Sequence, residues 1–146
     1  MLLERWSRDY GFQTSNPITA YLSPRGLTAV TEGLAALPDA NYAITGSLAA
    51  ERLAPYAPPR LAMVYAHEPE VLATRLGLRP VDTNGNILIS RSGYSAPLER
   101  LIEADGLRFV APSQTAVDLL TGPGRAPAEA EALLDWMEAN ERAWRK

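Results

Sequence analysis

The chain has 146 residues, 47% of them hydrophobic, with no cysteine, one histidine and a formal charge of −3. That composition supports a buried core. It excludes disulfides, thiolate metal sites, cysteine nucleophiles and any centre needing two imidazoles. Acidic and basic residues are spread evenly, five basic and five acidic in 1–60, five and six in 61–110, four and six in 111–146. No segment carries the basic stripe expected of a protein held to nucleic acid by phosphate contacts.

Leu2, Leu3, Trp6 and Tyr10 fall at helical spacing, so a helix is expected from the first residues. The charges at Glu4, Arg5, Arg8 and Asp9 interrupt the apolar run that a signal peptide needs. No stretch approaches the length of a membrane span, and a cytoplasmic protein without membrane partners is expected. All but one of the Lys and Arg residues are Arg, which with the abundant Ala and Pro reads as a GC-rich bacterial composition.

A short strand is expected over 18–22. Ser23 and Pro24 then open a helix whose face is Leu27, Val30, Leu34 and Leu37. Strand 42–45 runs into Thr45-Gly46-Ser47 and a helix over 47–54, with Ser47 as its cap. Residues 60–67 read as a buried strand. Pro69 opens a further helix with Val71, Leu72 and Leu76 turned inward and Gly77 as its stop. Two strand-like runs about Asn84-Gly85 predict a β-hairpin over about 79–91. A helical piece is expected near 97–104, a strand over 107–112, a helix capped by Ser113 and stopped by Gly122 and Pro123, and a long C-terminal helix marked by Ala130, Leu133, Leu134, Met137 and Trp144. The order predicts an α/β or α+β fold, a small mixed sheet with helices packed on it, in a single domain spanning 1–146.

The strand–turn–helix at Thr45, Gly46 and Ser47 is the first candidate site. Free N–H groups at a helix start attract anions, and these three residues are candidate ligand contacts. The corner is similar to the first half of the signature of polymerase-β-type nucleotidyltransferases. In that family the next strand carries two carboxylates two residues apart, on one face, to hold metal ions. Here the next strand, "RLAMVYAH", has no Asp or Glu. No metal site, catalytic residue or cofactor is therefore expected. The alternative that remains is a degenerate module that binds a nucleotide without catalysis. P-loop and dinucleotide fingerprints are absent. His67 beside Glu68 and Glu70 reads as a solvated corner. Asp118, inside the apolar turn "TAVDLL", is the second candidate, a buried carboxylate paired with Arg125.

Tyr42 to Ala50, then Ser113-Gln114 with Asp118-Leu119-Leu120 and Gly124-Arg125, carry a resemblance to the C-terminal domain of AbiEi-like proteins. These are antitoxins and transcriptional regulators of bacterial type IV toxin–antitoxin systems. The resemblance extends over about residues 2–140. It implies a non-catalytic regulatory domain whose partner is the cognate toxin, itself a nucleotidyltransferase, or a second copy of the chain. It also implies DNA binding through a winged helix-turn-helix. No such segment is found in these 146 residues, so DNA contact is expected only through a domain not present in this chain.

Overall fold

The computed structural model describes residues 18–37, 40–54, 59, 61–82, 85–91, 101–104, 106–121 and 127–140. These contain five helices and one seven-stranded mixed sheet. In chain order they are β1 (Ile18–Leu22), α1 (Gly26–Ala35), β2 (Tyr42–Thr45), α2 (Gly46–Leu53), β3 (Ala62–Ala66), α3 (Pro69–Leu76), β4 (Arg79–Pro80), β5 (Ile87–Arg91), β6 (Ile102–Ala104), β7 (Leu107–Phe109), α4 (Pro112–Thr121) and α5 (Pro127–Ala139). The sheet order is β4-β1-β5-β3-β2-β7-β6. The three central strands, β5, β3 and β2, are the most buried. A strand buried on both faces cannot alternate polar and apolar residues, and β3, "AMVYA", is buried throughout.

The two faces follow from the period of two along each strand. On one face Tyr42 and Ile44 of β2, Val64 of β3 and Ile87 and Ile89 of β5 meet Val30 and Leu34 of α1 and Leu72 of α3. On the other face lie Ala43, Met63 and Tyr65, with Val110 beyond β7. A third cluster joins α2, α4 and α5 through Ala50, Ala116, Leu119, Ala130, Leu133 and Met137. Residues 114–119 of α4 are all buried, so this helix is enclosed on every side rather than lying on the surface.

Several local expectations are corrected. The predicted hairpin over 79–91 does not form a ladder of its own. Its arms, β4 and β5, each pair antiparallel with β1, one on either side. The connection between them crosses the end of β1, where Asn86 N–H donates to the Tyr21 carbonyl. The Asn86 side chain also accepts from Ser23 N–H and donates to the Ser23 carbonyl. Gly85 permits the crossing: a Cβ there would stand 2.8 Å from the Tyr21 carbonyl oxygen. A hairpin does form elsewhere, between β6 and β7, turning at Gly106 with φ +76°. Residues 102–104 are thus strand and not helix, while 97–100 lie outside the described residues.

Helix starts also differ. α1 has Arg25 at its cap, and the Ser23 hydroxyl instead donates to the Gly26 carbonyl. α4 begins at Pro112, one residue before the expected cap Ser113. In α3 Leu72 and Ala73 are buried, but Val71 faces out. The expected N-terminal helix over 2–10 and Trp144 lie outside the described residues.

Candidate functional site

Thr45 ends β2 with extended backbone, φ −137° and ψ −172°. The chain then turns into α2 through Gly46, whose φ is +66°. That left-handed conformation is open to glycine and costly for other residues. Space enforces the same choice, since a Cβ on Gly46 would lie 2.7 Å from the Met63 sulfur. Met63 is the residue opposite Thr45 in the β2–β3 register. The helix starts one residue earlier than expected, and Thr45, not Ser47, occupies the cap position. The Thr45 side chain makes no capping hydrogen bond to the first turn.

Thr45 does not face solvent. It is fully buried, and its hydroxyl donates to Asp118 Oδ2 at 2.6 Å. Asp118 on α4 is fully buried too. It accepts from the Tyr65 hydroxyl at 2.9 and 3.0 Å and from Gln114 Nε2 at 3.0 Å. Gln114 Nε2 also lies 3.3 Å from the Tyr65 oxygen. Three donors from β2, β3 and α4 therefore converge on one carboxylate. Charge-assisted bonds of this kind are about twice as strong as neutral ones. Burial, and after it the Asp118 charge and hydrogen bond, pushes the Tyr65 hydroxyl far above the ordinary tyrosine range. The hydroxyl therefore stays protonated and donating. Ser90, opposite Tyr65 on β5, is buried as well, and its hydroxyl has no hydrogen-bond partner among the described residues.

The sheet geometry puts Thr45, Met63 and Tyr65 on one face beside the Gly46 corner. On β3 the two side chains at i and i+2 on that face are thus Met63 and Tyr65, where a metal-binding corner of the nucleotidyltransferase type would carry carboxylates. No Asp or Glu occurs in β2, β3 or β5. Among the described residues no three His, Cys, Asp or Glu side chains gather in a way that could hold a metal ion. Arg125, the expected partner of Asp118, lies outside the described residues. Gln114 could have been picked out from sequence, because it stands four residues before Asp118 and so shares its helix face. Tyr65 carried no such local signal; only the strand register brings it to α4.

The sequence from 1 to 138 matches the family model of the AbiEi antitoxin, a transcriptional regulator of type IV toxin–antitoxin systems. This chain belongs to that family. The match spans the Gly46 corner, the Asp118 cluster and nearly all of α5. No curated protein and no solved structure matches the chain. No helix among the described residues is long and apolar enough to cross a membrane.

Proposed function

We propose that residues 1–146 form one non-catalytic regulatory domain of a bacterial antitoxin, acting in the cytoplasm by contact with a protein partner, either the cognate toxin or a second copy of itself. Membership of the AbiEi antitoxin family supports the regulatory role. The observation that carries the non-catalytic part is the state of the corner. The carboxylate bonded to Thr45 at that corner, Asp118, sits on a helix rather than a strand, is fully buried, and holds Thr45, Tyr65 and Gln114 by hydrogen bonds. A general base or metal ligand must reach its substrate, and this group is committed to joining α4 to the sheet. The even charge distribution agrees with DNA being held by a separate winged-helix domain. The test has two arms. The chain is co-expressed with the nucleotidyltransferase toxin of its own system, and the purified chain is incubated with labelled nucleoside triphosphates, magnesium and RNA. Relief of toxicity without label transfer is expected. Transfer of label by the chain would overturn the proposal, as would unrelieved toxicity with no binding to either partner.

A nucleotide held without catalysis at Thr45, Gly46 and Ser47 is the second reading. It is favoured by a first turn of α2 that the Thr45 side chain does not cap and by the partial exposure of Ser47. A thermal shift with nucleoside triphosphates that disappears in Ser47→Glu would support it. No shift at millimolar ligand would exclude it.

A further inference from the structure

We draw no further inference here: the strongest candidate, the shallow cleft between the start of β2 and α3 around the exposed Val71, carries nothing because no observation in the structure shows what covers it.

Discussion

Replacing Asp118 with Ala tests whether the buried carboxylate holds the two layers together. It removes the acceptor for Thr45, Tyr65 and Gln114 at once, and all three donors lie in a buried site. An unsatisfied buried donor costs about 1–3 kcal/mol, and these costs overlap when one relaxation can relieve several. A total of about 3–5 kcal/mol is expected, the range seen when one partner of a buried charged pair is lost. Typical domains have about 5–15 kcal/mol in all, so the loss is large. At roughly 3 °C per kcal/mol for a chain of this size, the melting temperature should fall by about 10–15 °C. Urea denaturation followed by circular dichroism measures the change, with the slope unchanged if only stability has shifted. Two companion variants separate hydrogen bonding from packing. Asp118→Asn keeps an acceptor oxygen for Gln114, and the Thr45 and Tyr65 hydroxyls can rotate to meet its amide, so it should lose only about 1–2 kcal/mol. Asp118→Leu keeps the volume but strands all three donors, and it should be as damaging as Ala. A Leu variant as stable as wild type would refute the reasoning.

Further variants read other parts of the same corner. Tyr65→Phe should lose about 1–3 kcal/mol at neutral pH by taking one donor from Asp118. It should also flatten the alkaline limb of stability. The folded protein holds the Tyr65 proton more tightly than the unfolded chain, so its contribution is complete below the ordinary value of 10.0 and is lost as pH rises above it. That limb has a slope of about 1.4 kcal/mol per pH unit for one proton. Tyr21 and Tyr42, raised chiefly by burial, leave part of it in place in the variant. Gly46→Ala combines a left-handed φ with a contact on Met63 and should cost about 1–3 kcal/mol in urea melts. Leu133→Ala, at a fully buried position of α5, should cost about 2–5 kcal/mol and show whether α5 unfolds together with the sheet.

Element type was legible wherever hydrophobic period and punctuation agreed. α3 opens at Pro69 and closes at Gly77 with φ +70°, as the pairing of an N-terminal proline with a C-terminal glycine predicts. The apolar strands β2 and β3 were visible for the same reason. The failures share one cause, that local signals do not know which strand lies alongside. Asn84-Gly85 gives a strong turn signal, yet β1, some sixty residues earlier in the chain, inserts between the two arms. The Gly85 that suggested a tight turn is needed for close approach to the Tyr21 carbonyl. Val71 and Leu72 are adjacent and both apolar, so the helical period alone left their order of burial open; packing against the sheet buries Leu72. Asp118 stood out as a polar residue in an apolar turn, and its burial agrees with that. Its bonds to Thr45 and Tyr65 span 73 and 53 residues, beyond any pattern within a window.

The Gly46 corner shows why a motif fragment has to be judged by what faces it. A glycine at positive φ between a strand and a helix serves an anion site when the space over it is open. Here that space is filled by Met63, 2.7 Å from where a Cβ would be. The hydroxyl beside it turns away from the helix start toward Asp118. Glycine at position 46 is therefore already required by backbone conformation and by side-chain packing, with no ligand in the account. The same reasoning applies to Asp118. A carboxylate near a helix start suggests chemistry until its neighbours are counted, and three buried donors give it a cohesive role instead. If Asp118→Asn keeps antitoxin function while Asp118→Leu loses both fold and function, the corner acts through the architecture it maintains. Loss of function in a fully folded Asn variant would show instead that the charge itself is used.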